Sequence, residues 1–560
     1  MKQTRRQVFF SLGIFPLTFL LTFYALPLGI IFEKAIEAFQ GSWGSDLFAQ
    51  ISAPLGFTLF QAILSTLLTI LVGFPIAYTF SHFRFRGKRF FQIVVTLPFI
   101  LPTVVVAAAF NSLLGANGWL NLLFMRVFAL SDPPIQLMNT LWIILLAHIF
   151  YNTSIFVRMV GAGWAQLEVE QEQAARVLGA SPWQRFYHIT LPLLKPSIVS
   201  AFLMVFLFDF TSFGVILLLG GPAFSTLEVE IYRQTTQLLN LPLAGLLSVL
   251  QLLMTFVISL LSMRDKKSGV VSFLPDINSE RLKRPTGRFQ KIMISILLVC
   301  LVLFFVLPEV GLIMRSVVKL EADRTQLGAY QTGFTLDYYR ELFRNTRRSL
   351  FYVPPIEALK NSLLYALATM LIAGILGIIT ANALVQMRRA KWLRALLILP
   401  LGTSSVTLGL GFLLTFTRLP FFQQFPQVLI PIAHSLVALP VVINTLYPAL
   451  STIPASMHDA ASTLGASPLR TLQTIDLPLI RKPLLVGALY AFILSLGEFG
   501  ATSFLTRPDY PTMPIAIYRY LGLPGALNYG QAMAMACILL TVCAAAMFIM
   551  EALTTKERES

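Results

Sequence analysis

Long apolar stretches separated by short polar segments run along almost the whole chain. Each is about 20 residues long or longer, the length that a helix needs to cross the ~30 Å hydrocarbon layer of a bilayer. We predict a spanning helix for each of twelve stretches, at approximately 9–32, 55–80, 92–114, 139–161, 197–219, 243–263, 291–313, 359–386, 393–415, 428–450, 484–505 and 527–551. A β-barrel is excluded, because its strands would alternate apolar and polar residues over about 10 positions. The pattern predicts an all-α polytopic membrane protein.

Composition supports a membrane protein and explains the charge. The 560 residues are 56% hydrophobic and only 12% charged, whereas a soluble domain carries about 25% charged residues. Much of the net charge of +16 lies in short loops such as Arg84–Arg89 and Arg388–Lys391. Such loops face the cytoplasm, so we predict cytoplasmic N- and C-termini. Contacts with anionic lipid head groups account for these charges, and nucleic-acid binding is a remote alternative.

One polar segment occurs twice, at an offset of 286 residues. The copies are AARVLGASPWQRFYHITLP from Ala174 and AASTLGASPLRTLQTIDLP from Ala460, and 10 of the 19 positions are identical. Two other landmarks keep the same offset: Ala147-His148 with Ala433-His434, and Phe213-Gly214 with Phe499-Gly500. Six spans return the chain to its starting side, so the repeats are parallel, with a pathway expected at their interface. We predict a first transmembrane half at 1–264, a cytoplasmic linker at 265–290 and a second transmembrane half at 291–560.

Each copy of the repeated segment predicts a helix, a turn and a second helix. Gly179 follows an Ala-rich turn, where a left-handed residue commonly ends a helix. Ser181 then supplies an N-cap hydroxyl and Pro182 a favourable first helical residue. Pro192 is expected to end the second helix before the next span. The second copy repeats these features at Gly465, Ser467, Pro468 and Pro478. The alternative is a re-entry turn with good capping chemistry and no partner.

The repeated segment resembles the EAA loop of type I ABC importer permeases. That pattern is roughly E-A-A-x-x-x-G-A, followed after nine residues by I-x-L-P. The first copy supplies Glu172, Ala174, Ala175, Gly179, Ala180, Ile189, Leu191 and Pro192. The second supplies Ala460, Ala461, Gly465, Ala466, Ile475, Leu477 and Pro478. It departs from the pattern with His458 at the acidic position, followed by Asp459, and the first copy has Gln173 in place of the first alanine.

The resemblance implies a type I ABC importer permease fold and a set of partners. Each loop would form a coupling helix in a cleft of a cytoplasmic ATPase, with two ATPase copies, one per loop. ATP and Mg would be bound by that partner, because this chain contains no G-x-x-x-x-G-K-[ST] phosphate-binding loop. An external solute-binding protein would deliver cargo, and transport would proceed by alternating access in a bacterial inner membrane. We therefore expect no enzymatic activity, cofactor or metal site in the chain itself.

Two carboxylates inside predicted spans are candidates for the pathway. Asp209 lies in LFDFTSFG and Glu498 in SLGEFGATSF, each in the fifth span of its half. Intramembrane charges are costly and are functional hypotheses by default. The two are not strict repeat equivalents, and hydrogen bonding to neighbouring helices is an equally good alternative. For the repeated His148 and His434, structural bonding between helices is the favoured interpretation.

The cargo is less well determined by the sequence. The segments AHIFYN, STLEVEIYRQ and PTMPIAIYRY resemble fused permeases of ferric-iron and thiamine importers, which favours ferric iron first and thiamine second. SLGEFGATSF also looks like molybdate and sulfate permeases, which ordinarily are single six-span halves. Two rivals of other classes are a membrane-embedded enzyme and an ion-driven carrier or channel. An enzyme would cluster catalytic polar residues at one membrane face, and a carrier would not require duplicated docking loops.

Overall fold

The computed structural model describes residues 13–40, 45–167, 169–263, 282–322, 330–344, 354–386 and 399–555. In these ranges, eleven helices are long and apolar enough to cross a membrane: Gly13–Ala38, Leu47–His82, Thr103–Phe128, Leu141–Ala165, Pro182–Phe210, Leu241–Leu261, Arg288–Val317, Pro355–Gln386, Pro426–Ser451, Pro468–Gly497 and Ala526–Leu553. The predicted span 393–415 is represented by a shorter apolar helix, Ser405–Phe416. Residues 393–398 of that prediction and the basic run Arg388–Lys391 lie outside the described residues, and a 3-10 turn at Leu399–Gly402 precedes the short helix.

Helices account for nearly all of the described secondary structure. Those before the linker are α1 (Leu26–Gln40), α2 (Ser45–His82), α3 (Lys88–Thr96), α4 (Thr103–Leu114), α5 (Trp119–Phe128), α6 (Leu141–Ala165), α7 (Val169–Val177), α8 (Pro182–Arg185), α9 (Leu191–Phe210), α10 (Leu227–Thr236) and α11 (Leu241–Met263). A π-helical turn, Leu21–Ala25, leads into α1.

The part after the linker repeats this order of elements. Its helices are α12 (Arg288–Phe305), α13 (Leu307–Val317), α14 (Asp337–Arg340), α15 (Pro355–Gln386), α16 (Ser405–Phe416), α17 (Pro420–Gln424), α18 (Leu429–Ser451), α19 (Ala455–Thr463), α20 (Pro468–Thr471), α21 (Leu477–Gly497), α22 (Gly500–Leu505), α23 (Met513–Leu521) and α24 (Ala526–Thr555). An antiparallel hairpin of β1 (Val318–Ala322) and β2 (Tyr330–Phe334) precedes α14.

Several predicted spans are interrupted, and proline or glycine marks most of the breaks. The predicted helix 92–114 is instead α3, a 3-10 turn at Leu97–Ile100, and α4. Proline lacks an N–H donor and clashes with the preceding turn, and Pro98 and Pro102 lie at this break. The predicted seventh span is likewise divided, with α13 beginning just before Pro308. The uninterrupted helix predicted over 92–114 was therefore wrong, whereas the predicted seventh span lies within the candidate span Arg288–Val317 despite its break.

Matching contacts in the two halves show the repeat in three dimensions. The N–H of Leu227 donates to Thr58 Oγ1 at 2.9 Å. At the equivalent place, the N–H of Met513 donates to Ser362 Oγ at 2.8 Å. Leu227 and Met513 are 286 residues apart, the offset found in the sequence. The two halves therefore fix their second span to the helix after their fifth span in the same way.

The first helix of each half packs against the other half. Helix α1 contacts α11 of its own half and α16 of the second half, while α13 contacts α24 of its own half and α4 of the first. The approach is close: a Cβ on Gly411 would lie 2.9 Å from Pro27 Cβ. On the other side, Trp119 Nε1 donates to the carbonyl of Gly311 at 3.0 Å. The first helix of each half therefore holds the two halves together.

The end of the linker is anchored to the first half. The N–H of Lys283 donates to the His82 carbonyl, and the N–H of Arg84 donates to the Lys283 carbonyl, both at 2.9 Å. The remainder of the predicted linker 265–290, up to residue 281, lies outside the described residues. The boundaries predicted for the two halves therefore stay predictions.

Candidate coupling loops and transport pathway

The two repeated loops, called loop 1 (169–192) and loop 2 (455–478), have the predicted helix–turn–helix form. Gly179 has φ +83° and Gly465 has φ +79°, with no atom within 4 Å of a Cβ built on either. Left-handed backbone of this kind strongly favours glycine. Ser181 forms a capping box with Gln184, and Ser467 Oγ accepts from the N–H of Arg470 at 3.3 Å. Local chemistry therefore fixes both elbows.

Pro192 and Pro478 do not end the second helix of each loop, contrary to the prediction. A π-helical turn precedes each proline, at Phe186–Thr190 and Leu472–Asp476. The N–H of Leu191 bonds the carbonyl of Phe186, five residues back, and such a wider turn leaves room for the proline ring. The helices therefore continue to Phe210 and Gly497. Each elbow is thus joined by one continuous helix to the fifth span of its half.

Both loops present apolar side chains to the surface. Leu178 is 86% exposed and its repeat equivalent Leu464 is 87% exposed. Trp183 is 70% exposed, and its equivalent Leu469 is 60% exposed. A cavity of about 440 Å³ borders loop 1 and is lined by Leu178, Gly179, Ala180, Gln184, Arg185, His188 and Ile189. Exposed apolar groups clustered in this way mark an interaction site.

The paired alanines keep the first helix of each loop thin. Ala174 and Ala460 are exposed, whereas Ala175 and Ala461 are half-buried. Ala180 and Ala466 are half-buried beside the elbow glycines. At the alanine positions, a partner can therefore approach the backbone of each first helix closely.

The departure at His458 exchanges the basic and acidic positions of a contact between the two helices of the loop. In loop 1, Arg185 Nη1 of the second helix lies 3.2 Å from Glu172 Oε1 of the first. In loop 2, His458 on the first helix lies 2.6 Å from Asp476 Oδ1 on the second. The Asp476 side chain is 1% exposed, whereas that of Glu172 is 45% exposed. Asp459, beside His458, is half-buried.

Removal of each acidic partner is expected to loosen loop 2 more than loop 1. Asp476→Ala breaks a buried pair and should speed amide exchange in 455–463 about tenfold or more. Glu172→Ala breaks a half-buried pair whose carboxylate is 45% exposed, worth about 1 kcal/mol, and should speed exchange in 169–177 less than about fivefold. Hydrogen–deuterium exchange of the two peptides measures both. Equal changes in the two loops would contradict the assigned difference.

Asp209 lies in a polar network between helices of the first half and is fully buried. Asn152 Nδ2 donates to Asp209 Oδ1 at 2.7 Å, and Thr66 Oγ1 donates to Oδ2 at 3.3 Å. His148 Nδ1 is 3.4 Å from Asp209 Oδ1, and His148 Nε2 is 2.9 Å from Ser212 Oγ. These contacts join α2, α6 and α9.

Glu498 lies in the corresponding network of the second half. Its carboxylate accepts from the N–H groups of Ala501 at 2.8 Å and Thr502 at 3.0 Å, so it caps α22. His434 Nε2 is 3.1 Å from Glu498 Oε2, and His434 Nδ1 is 2.8 Å from Ser495 Oγ. Each histidine thus contacts the same two positions of its fifth span. The carboxylate stands at the first position in one half and at the second in the other. Direct contact of Asp209 or Glu498 with cargo stays a prediction.

Aromatic rings from both halves meet between the fifth spans. Phe213 and Phe499, which are repeat equivalents, stack with centroids 5.6 Å apart and an interplanar angle of 25°. The equivalent tyrosines flank them: Tyr232 lies 5.4 Å from Phe213, and Tyr518 lies 5.6 Å from Phe499. Because the stacked rings are repeat equivalents, the axis relating the two halves passes between them. We call these four residues the axial aromatic cluster. The sequence matched Phe213 with Phe499 but gave no sign of their contact.

Two fused parallel repeats of membrane-spanning helices, each with an exposed loop joined rigidly to its fifth span, define a transporter permease rather than a catalyst. The chain belongs to the family of binding-protein-dependent transport system inner membrane components, which matches at residues 69–267 and again at 373–559. It is thus a multi-pass inner-membrane ABC permease, a class that acts with ATPase and solute-binding proteins.

Individual relatives align over almost the whole chain. The thiamine transport system permease protein of Brucella abortus (strain 2308) is 27% identical over 548 residues, covering 95% of this chain and 93% of the relative. The same-named protein of Haemophilus influenzae is 25% identical over 539 residues, covering 91% and 90%. A putative 2-aminoethylphosphonate transport system permease protein of Salmonella typhimurium is 26% identical over 266 residues, covering 46% of this chain and 93% of the relative. The chain therefore resembles fused permeases along its length and a single-half permease over about half of it.

Proposed function

We propose that this chain is the membrane-spanning subunit of a thiamine importer. The observation that carries the proposal is the full-length similarity to permeases named for thiamine transport, in both halves. Ferric iron, ranked first from the sequence motifs, is kept as the second candidate, because its importers share the fused architecture that those motifs resemble. Molybdate, sulfate or another small solute is the remaining alternative within this class.

The proposed mechanism is alternating access driven by two copies of an ATP-binding cassette ATPase. Each copy would hold the exposed leucine of one loop, Leu178 or Leu464, in an apolar cleft. ATP and Mg would bind in those subunits and not in this chain. Closure of the ATPase pair would move both elbows, and the continuous helices Pro182–Phe210 and Pro468–Gly497 would carry the movement to the axial aromatic cluster.

The proposed orientation places both loops and both termini in the cytoplasm. A loaded solute-binding protein would dock at the opposite end, where a cavity of about 560 Å³ is lined by residues of both halves: Asn111, Gly115, Ala116, Asn117, Met138, Arg315, Leu523, Gly525, Ala526 and Tyr529. The position of that cavity between the halves supports it as an entrance.

Reconstitution in proteoliposomes with the ATPase subunits and the binding protein tests the cargo. We expect uptake of radiolabelled thiamine that requires ATP and the binding protein and is not reduced by excess ferric citrate. Parallel uptake of radiolabelled ferric citrate is the control. Iron uptake without thiamine uptake would identify ferric iron as the cargo. Uptake without ATPase subunits would support an ion-driven carrier.

A further inference from the structure

A buried carboxylate beside the axial aromatic cluster has an oxygen without a well-formed hydrogen bond to any described residue. The Glu228 side chain, on α10, is 1% exposed. Gln251 Nε2 donates to its Oε1 in a short hydrogen bond, while Oε2 has no hydrogen-bond partner in the described residues. Leaving a buried carboxyl oxygen without a hydrogen-bond partner costs about 1–3 kcal/mol, and more when the group is charged. Such a group in a membrane transporter is a functional hypothesis by default.

Two polar atoms on the neighbouring helix α11 also lack hydrogen bonds in the described part of the chain. Gln251 Oε1 and Ser248 Oγ, three residues apart on α11, are buried and form no hydrogen bonds within the described part of the chain. Ser404, the N-cap of α16 in the second half, approaches the Glu228 carboxylate closely enough for a weak side-chain hydrogen bond, and Glu498 is close enough to act on it electrostatically. These groups are mostly acceptors or hydroxyls, so what they lack is a hydrogen-bond donor or a positive charge.

The group lies at the axis that relates the two halves. Tyr232 is one helical turn after Glu228, and its ring contacts Phe213 of the axial aromatic cluster. Glu498 directly precedes Phe499, the other member of the central stack. Two carboxylates and four aromatic rings therefore surround the place where the halves must separate for cargo to pass.

The group exists on one side of the axis only. The repeat equivalents of Glu228, Ser248 and Gln251 are Pro514, Ala534 and Cys537. None of the three replacements carries a negative charge at neutral pH or a carbonyl side chain. A structural requirement of the shared fold would apply to both halves. The asymmetry therefore favours a role in binding a ligand that lies in one orientation across the axis.

We propose that Glu228, with Gln251 and Ser248, forms a subsite that binds the positive charge of a flat aromatic cation as it passes the axial aromatic cluster. Carboxylates neutralise the charge, and aromatic faces favour a planar cation through stacking and cation–π contact. Oxyanions such as molybdate and sulfate would be repelled by the same carboxylates. The subsite rests on the proposed function, since thiamine carries its positive charge on an aromatic thiazolium ring.

Uptake by Glu228→Gln in the complete reconstituted transporter is the first test. The substitution keeps side-chain size and an acceptor for Gln251 but removes the charge. We expect thiamine uptake to fall about tenfold or more, as loss of a charged partner implies, with ATP hydrolysis still stimulated by the loaded binding protein. Normal uptake would overturn the subsite. The control is Glu309→Gln in α13, which removes another buried carboxylate without a hydrogen-bond partner in the described residues. An equal loss in that control would also overturn it.

Ligand-induced stabilisation of the purified full-length chain separates the subsite from the cargo assignment. We expect 3,4-dimethylthiazolium to raise the melting temperature of the wild type and not that of Glu228→Gln, while neutral 4-methylthiazole raises neither. Stabilisation that depends on Glu228, without thiamine uptake by the wild type, would keep the subsite and reject the thiamine proposal. Thiamine uptake and thiazolium stabilisation that are both unchanged in Glu228→Gln would reject the subsite and keep the cargo. Stabilisation by Fe³⁺ alone would contradict an aromatic ligand.

Discussion

Aspartate in place of both Leu178 and Leu464 is expected to abolish co-purification of the chain with its ATPase subunits. Each leucine is more than 85% exposed and stands beside an elbow glycine at the tip of its loop. A leucine buried in the cleft of a partner contributes about 2 kcal/mol or more as a hot spot, so each aspartate should weaken binding about 30-fold. Two such losses in one complex should reduce ATP-driven uptake to background.

The two substitutions should affect ATPase binding and not the folding of the chain. Changes at exposed positions usually alter the free energy of unfolding by no more than about 0.5 kcal/mol, so the melting temperature should not move. Phe334→Asp is the matched control, since Phe334 is 76% exposed in the hairpin at the opposite end. Retained ATPase binding by the double leucine variant would contradict the docking role of both loops.

The single variants test whether the loops contribute equally. Loop 2 is held by the buried pair of His458 and Asp476, whereas loop 1 relies on the more exposed pair of Glu172 and Arg185. A more rigid loop loses less conformational entropy on binding. Leu464→Asp should therefore weaken ATPase binding more than Leu178→Asp, measured as the dissociation constant of each complex.

The elbows of the loops could be predicted because their determinants are local. Glycine at a left-handed position and Ser-Pro at a helix start act within a few residues, so the sequence pattern and the structure agree there. The prediction at Pro192 and Pro478 was wrong because it also used only a local rule, namely that proline ends a helix. In the structure a π-helical turn accommodates each proline. The helix therefore continues into the apolar span that follows.

Features that depend on packing could not be predicted from the sequence. Asp476 aligns with Thr190, so the repeat register gave no reason to pair it with His458. The contact of Phe213 with Phe499 follows from the placement of two spans 286 residues apart. Glu228 could not be predicted from intramembrane charge, because α10 lies between two predicted spans. Its absence from the second copy, where Pro514 stands, was the available signal.

Proline in place of Gly465 is expected to uncouple ATP hydrolysis from transport. Gly465 has φ +79°, and proline is fixed near −65°. Its N–H also donates to the Ser462 carbonyl at 3.1 Å, and proline has no N–H. The turn must therefore change direction, moving Leu464 relative to the helix that begins at Pro468. We expect uptake in proteoliposomes to fall to background and the loaded binding protein no longer to stimulate hydrolysis.

A loss of function could also come from misfolding, and the chain offers controls for this. Asparagine adopts left-handed backbone at small cost, so Gly465→Asn should keep most of the uptake. Gly179→Pro makes the same change at the other elbow, where φ is +83°. Since nothing lies within 4 Å of either glycine Cβ position, both proline variants should keep the melting temperature of the membrane-spanning helices. Coupled uptake at the wild-type rate in Gly465→Pro would show that loop 2 does not transmit the movement of the ATPase to the fifth span.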